Sequence, residues 1–214
     1  IISNANLIIN DADGTAITAP QLAAISAATT GTVLVTNAVT IYGGHELFAA
    51  LVTEAANVII SNANLIINDA DGTAITAAQL AAISAATTGT VTATNKVFIF
   101  GATAEVIAAI VTVGTLVLAT DVAVTITDIP TIAELNAIAA KTTGVVTATL
   151  AADSLANLAD LTTAATDEIT ITVNDEDETA ITASELAVIG GKTAGTVTVP
   201  NAVTITGDHD QVTA

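Results

Sequence analysis

Pairs of aspartates spaced two apart recur at one place in this chain's pattern. The loop Asn-Asp-Ala-Asp-Gly-Thr sets Asp11 beside Asp13 and, one repeat later, Asp69 beside Asp71. A related loop, Asn-Asp-Glu-Asp-Glu-Thr, sets Asp175 beside Asp177. Paired carboxylates offer hard oxygen ligands of the kind calcium takes. These six residues are therefore the candidate metal ligands, with calcium as the one candidate ion and no other cofactor expected. An EF-hand loop would need more ligands and a glycine at its sixth position, where Ala16 stands. The plainer reading is a polar turn, with Gly14 and Gly72 at positive φ and Asp favouring a helix N-terminus. The third copy keeps only Asp128, so a metal site would not occur in every unit.

Other chemistry finds less support. His45 and His209 occupy equivalent positions before an acid, in Gly-Gly-His-Glu and Gly-Asp-His-Asp. They are too far apart in the repeat to share an ion, and a solvated helix start is the expectation for both. There is no cysteine and no Gly-x-Ser-x-Gly, and neither histidine has a repeated serine partner. Gly191-Lys192-Thr193 lacks the spaced glycine of a phosphate loop. Carboxylate pairs can hydrolyse glycosides, but here they follow the repeat, which a catalytic pair would break. Thr-x-Thr pairs such as Thr92/Thr94, Thr196/Thr198 and Thr204/Thr206 resemble an ice-binding face, although β-propensity accounts for them. A non-catalytic protein is expected.

Composition narrows the partners. Half the residues are apolar (52%), yet only 2% are aromatic, and methionine and tryptophan are absent, which leaves little with which to shape a pocket. The net charge is −18, with 21 carboxylates against Lys96, Lys141 and Lys192. Such a surface repels phosphate, so neither nucleic acid nor an anionic membrane is an expected partner. Cations, surface polysaccharide, neighbouring repeats and other copies of the same chain remain. The uncharged stretch from Val106 to Thr120 is too short to span a bilayer, so no membrane insertion is expected.

The positioning elements follow from the repeat itself. Residues 1–33 recur at 59–91 with one change, Pro20 to Ala78. Two diverged copies follow, aligned on Leu80/Gly89, Leu135/Gly144 and Leu186/Gly195. These A halves cover about 1–36, 59–94, 120–149 and 169–199. B halves cover about 37–58, 95–119 and 150–168, with a stump at 200–214, so the chain reads as a fragment of something longer.

Within each A half, Thr18/Gln21, Thr76/Gln79, Thr131/Glu134 and Thr182/Glu185 form capping boxes that predict helix starts. Leu22/Ile25, Leu80/Ile83, Leu135/Ile138 and Leu186/Ile189 give each short helix one apolar stripe. Gly31, Gly89, Gly144 and Gly195 are expected as left-handed C-caps. Beyond them, runs such as Thr90–Thr94 and Val145–Thr149 alternate with period two, as strands do. The B helices, carrying Leu47, Phe48 and Leu51 or Val106, Ile107 and Ile110, are more apolar and expected to lie deeper. Asn37, Asn95 and Asn201 recur at the strand-to-strand turn, where an internal amide ladder is expected. One half-repeat cannot bury its own apolar faces and must stack on its neighbours. The expected fold is an α/β solenoid of short parallel strands, with short capped helices packed on one side, forming a single body over residues 1–214.

The pattern Thr-x-x-Glu/Gln-Leu-x-x-Ile-x-Ala-x-Thr-Thr-Gly-x-Val-Thr-Ala-Thr, with Val-Thr-Ile-Thr-Asp before it and Ala-Ala-Asp-Ser-Leu-Ala-Asn-Leu-Ala-Asp after it, carries a resemblance. It resembles tandem repeats of giant secreted or cell-surface proteins of marine cyanobacteria. Some of those are linked to surface layers and swimming motility, and others are described as hemolysin-type calcium-binding proteins. The resemblance spans essentially the whole chain. It implies an extracellular or cell-surface location and a structural role. Independently of the resemblance, open strand edges at the ends of a solenoid fragment give an expectation of end-to-end stacking into filaments. The glycine-rich nonapeptide of hemolysin-type calcium sites does not occur here.

Overall fold

A computed structural model describes residues 4–54 and 57–213. Residues 1–3 of the first A half, 55–56 of the first B half and 214 of the stump lie outside the described residues. The first unit runs β1 (Leu7–Ile9), β2 (Ala16–Thr18), α1 (Ala19–Ala27), β3 (Val33–Val35), β4 (Thr40–Gly43), α2 (His45–Ala49) and β5 (Val58–Ile59). The second repeats it: β6 (Asn64–Ile67), β7 (Ala74–Thr76), α3 (Ala77–Ala85), β8 (Val91–Ala93), β9 (Phe98–Gly101), α4 (Thr103–Val106) and β10 (Leu116–Val117). The third is abridged to β11 (Ala123–Ile126), α5 (Ile132–Ala139), β12 (Val146–Thr149) and α6 (Leu155–Leu158). The rest is β13 (Glu168–Thr172), β14 (Ala180–Thr182), α7 (Ala183–Gly190), β15 (Val197–Thr198), β16 (Thr204–Thr206) and α8 (His209–Thr213).

The architecture is α/β, with short parallel strands and short helices alternating to make several parallel sheets. Every strand pairing among the described residues is parallel, and in the first two units paired residues lie 24–26 apart along the chain, as in Leu7↔Val33 and Ala16↔Thr40. The stretch of chain from one strand to its pairing partner is here called a coil. The sheets do not run straight through the units, however. β2 and β4 pair on into β6, β8 and β10, while β7 starts a new sheet with β9 and β11. The two larger sheets thus join strands of one unit to strands of the next.

Alternation puts one face of each strand inside. Val33, Ile41, Leu65, Ile75, Val91, Ile99, Val124 and Ile169 are fully buried, while Thr92 and Thr125 between them face outward. Helices form the second layer, each packed on its sequence neighbour. All four capping boxes are formed, with Thr18, Thr76, Thr131 and Thr182 each accepting from the backbone three residues on.

Four expectations need correction. The glycines 31, 89, 144 and 195 are not left-handed caps. The helices end in right-handed residues such as Ala28 and Ala86, and positive φ among glycines is confined to Gly14 and Gly72. The B helices lie no deeper than the A helices: Leu22, Leu80 and Leu135 are as fully buried as Phe48 and Val106. They differ in winding, since α2 and α4 continue as π-helical turns over Ala50–Glu54 and Ile107–Thr112. His45 is not a solvated helix start but is 6% exposed, and His209 is exposed. The asparagines make no ladder with one another, for the reason given next.

Candidate functional site

The aspartate loops reach to neighbouring coils on both sides in the sequence. Asp71 Oδ1 accepts the Lys96 N–H at 3.0 Å, reaching forward to the next coil. Asp69 reaches back: its Oδ2 accepts the His45 N–H at 2.7 Å, at the start of α2. Asp175 and Asp177 repeat the arrangement, accepting from the backbone of Leu155 at 2.9 Å and Ala202 at 2.9 Å. Asp13 reaches forward to the Ala38 N–H at 2.9 Å, and Asp11, in the first coil, is exposed. A spacing of two thus lets one carboxylate hold the preceding coil and the other the following one. A carboxylate set against the first N–H groups of a helix also satisfies donors that the helix leaves open.

The asparagines complete this clasp. Asn37, Asn95 and Asn201 each donate from Nδ2 to the main-chain carbonyl of Asp11, Asp69 and Asp175, all at 2.6 Å. Successive asparagines sit at least two coils apart, so they grip the preceding loop instead of stacking on each other. Gly14 and Gly72, both at φ +77°, turn the loop so that their N–H groups meet Ala38 O and Lys96 O.

A second fastener was unread in the sequence. Thr29, Thr87, Thr142 and Thr193 each donate their hydroxyl to a carbonyl of the preceding coil: Ala5, Ala63, Val122 and Ile169. Each also accepts the N–H of the glycine two residues on. A β-carbon on Gly31, Gly89, Gly144 or Gly195 would collide with that same carbonyl oxygen. The glycine is required for close approach, and the Thr-x-Gly spacing is its signature.

His45 Nδ1 lies 3.1 Å from Asp69 Oδ1 without forming a hydrogen bond. Among the described residues, no group of three or more His, Cys, Asp or Glu side chains converges as metal ligands would. Nor is any helix among them long and apolar enough to cross a membrane.

The regularity breaks in the third unit. Asp128-Ile129-Pro130-Thr131 stands where the second unit has the longer run Asp69–Thr76, and Leu150 stands in place of Asn95. Asp128 keeps the backward contact, accepting the Thr103 N–H at 2.7 Å and hydroxyl at 2.6 Å. Those bonds, the hydroxyl first, hold its carboxyl below the ordinary aspartate range. The forward clasp and the strand before the helix are both missing. A depression of 620 Å³ opens there, lined by Ile129, Pro130, Asn136, Leu150, Asp153 and Asp160. Asp153 Oδ1 is already taken by the Ser154 N–H and the Asn157 amide, each at 2.8 Å.

Comparison with family models, with curated proteins and with solved structures finds no match to this chain.

Proposed function

We propose that this chain is a non-catalytic structural or adhesive repeat segment of a long extracellular or cell-surface protein, built as an α/β solenoid. One observation carries the reading. The side chains best suited to chemistry, the loop aspartates other than Asp11 and the threonines that precede the glycines, are engaged at equivalent positions in fastening one coil to the next. An enzyme would instead converge them on one place, freed from backbone partners. The acidic, cysteine-free composition and the resemblance to secreted repeat proteins support the location.

The test is excision of one unit. Joining Thr30 directly to Gly89 removes one whole repeat while leaving every local sequence intact. A stack held by nearest-neighbour contacts keeps its fold after such a deletion. The shortened protein is expected to retain the same circular dichroism per residue and a cooperative melt. Loss of the fold would overturn the reading.

The depression in the third unit favours a second reading, a module that binds a neutral surface polysaccharide. Its apolar floor of Ile129, Pro130 and Leu150, rimmed by Asn136 and Asp160, suits sugar rings and hydroxyls. Affinity electrophoresis in a neutral glucan, with Ile129→Asp as comparison, tests it. Unretarded migration of the native chain would remove it.

A further inference from the structure

In the second unit the strands that lead into its two helices pair with each other. Ala74, Ile75 and Thr76 of β7 lie against Phe98, Ile99 and Phe100 of β9. Counted back from the helix caps Thr131 and Ser154, their counterparts in the third unit are 129–131 and 150–153. These two segments do not pair. Pro130 stands in the place of Ile75 and has no N–H to give a ladder. The N–H groups of Leu150 and Asp153 turn to the following coil, reaching Thr170 O and Thr172 O, each at 3.1 Å. Ala151 and Ala152 are exposed, and their N–H groups meet no acceptor among the described residues. β9, by contrast, has a strand on either side, β7 and β11. The third unit thus carries an open strand edge well inside the chain.

The 620 Å³ depression lies along this edge. Its apolar part is Leu150, Pro130 and Ile129, the last 63% exposed. Its polar part offers acceptors. The Thr131 hydroxyl already donates to Glu134, the Asn136 amide to Asp160 O and the Asn157 amide to Asp153 Oδ1. Asp153 Oδ2, Asn157 Oδ1 and the Asp160 carboxylate accept from no donor among the described residues, and no residue of the lining is basic.

We infer that an extended segment of a partner protein adds to this edge as a strand, carrying a branched aliphatic residue and, two places on, a lysine or arginine. The inference rests on the adhesive reading above and names the partner's chemistry. Side chains two apart on a strand share a face. The aliphatic one covers Ile129 and Leu150, and the cation meets Asp153 and Asp160. Main-chain bonds to an open edge supply affinity, while the side-chain contacts supply choice. A second copy of this chain has no such segment, because Thr94, Ala139 and Gly190 stand two places before its three lysines. The net charge of −18 draws a basic segment in, so the association weakens with salt.

The test is a titration of the whole chain with the peptide acetyl-Ala-Ile-Thr-Lys-Val amide, followed by two-dimensional NMR of the backbone amides. Saturable shifts are expected at Ala151, Ala152 and Asp153, while Ala74, on the closed counterpart, stays unmoved. Acetylating the peptide's lysine, or Asp160→Asn in the protein, is expected to weaken binding about tenfold. Of two peptides N-methylated on alternate amides, one is expected to bind like the parent and the other not at all, since every second amide faces the edge. No shifts at millimolar peptide, equal behaviour of the two methylated peptides, or binding indifferent to lysine acetylation overturns the inference. So does a chain whose Ala151 and Ala152 amides shift with a neutral glucan and not with the peptide. A failed titration leaves the stacked-repeat reading standing if the chain shortened by one repeat still folds. An unfolded shortened chain overturns that reading whatever the peptide does.

Discussion

Ser26 donates its hydroxyl to Asn57 Oδ1 at 3.0 Å, whereas its counterpart Ser84 and the residue that replaces Asn57 in the next unit, Thr115, are both buried without partners. In the first unit the Asn57 amide also donates to Gly31 O at 2.8 Å, tying two coils together. The second unit has lost this bridge through one substitution. A buried hydroxyl without a partner costs about 1–3 kcal/mol, and a typical restored bond contributes about 1 kcal/mol. Thr115→Asn is therefore expected to stabilise the protein by about 1 kcal/mol, read as a higher urea midpoint at constant slope. Ser84→Ala should be close to neutral in the native chain, while Ser26→Ala lowers stability by about 1 kcal/mol. Equal effects at the two serines would show that the bridge contributes nothing.

Glu178 stands where Gly14 and Gly72 stand in the earlier loops, and it adopts φ +67°. Its N–H still reaches Ala202 O at 2.9 Å, so the clasp holds the strained backbone in place. Left-handed backbone costs a residue with a β-carbon roughly 1–2 kcal/mol, partly offset by glycine's larger entropy loss on folding. Glu178→Gly is expected to raise stability by about 0.5–1 kcal/mol. Gly89→Ala meets the opposite difficulty, a β-carbon forced against the Ala63 carbonyl, and should lose about 1–3 kcal/mol. Thermal melts of the two variants must move in opposite directions.

The parts legible in the sequence are those with local causes. A capping box lies within a single helical turn, so Thr18/Gln21 and its three counterparts could be read directly. Gly31 looked like a helix cap because a Thr-Thr-Gly after a helix has that form. Its real constraint is Ala5, one coil earlier, which no local pattern displays. β2, β7 and β14 escaped because Ala-Ile-Thr has one large apolar side chain and is too short to show a period. The aspartate clasp did leave a trace. The third unit lacks both the forward aspartate and the asparagine, with Leu150 in place of Asn95, as expected for residues that act on one joint. The step from sheet to sheet at β6 left none, since both of its partners are long-range.

Glu134 connects one capping box to pH. The Thr131 backbone N–H donates to its carboxylate at 2.8 Å and the Thr131 hydroxyl at 2.7 Å, and these bonds hold its pKa below the ordinary glutamate value of 4.5. Glu185 is lowered in the same way by Thr182, its hydroxyl first. In the unfolded chain the proton binds at higher pH than in the fold, so this contribution is complete above pH 4.5 and is lost as pH falls through the lowered folded value. Global charge acts in the opposite sense, because acid relieves repulsion among 21 carboxylates. Glu134→Gln separates the two effects. Gln21 and Gln79 already make this cap with an amide oxygen, so the hydrogen bond survives without the charge. The native chain should be the more stable above about pH 5, with the gap closing toward about pH 3. A gap independent of pH would assign Glu134 no ionic role.

Calcium provides the last discrimination. A calcium site needs six to eight oxygens drawn from several groups. Asp71 accepts the Lys96 N–H with Oδ1, and Asp69 turns both oxygens toward His45, so the pair in one loop points to opposite neighbours. Asp175 and Asp177 divide in the same manner, between Leu155 and Ala202. Binding weaker than about 10 mM adds less than about 0.06 kcal/mol at about 1 mM calcium, because stabilisation grows as the logarithm of one plus the ligand-to-Kd ratio. At matched ionic strength, the melting midpoint in about 1 mM calcium is therefore expected to equal that in chelator. Asp71→Asn sharpens the result, since the amide oxygen can still accept the Lys96 N–H. It should leave stability nearly unchanged with or without calcium. A midpoint that rises by several degrees with calcium, and no longer does so in Asp71→Asn, would establish the aspartate loops as ion sites and make the backbone clasp their scaffold.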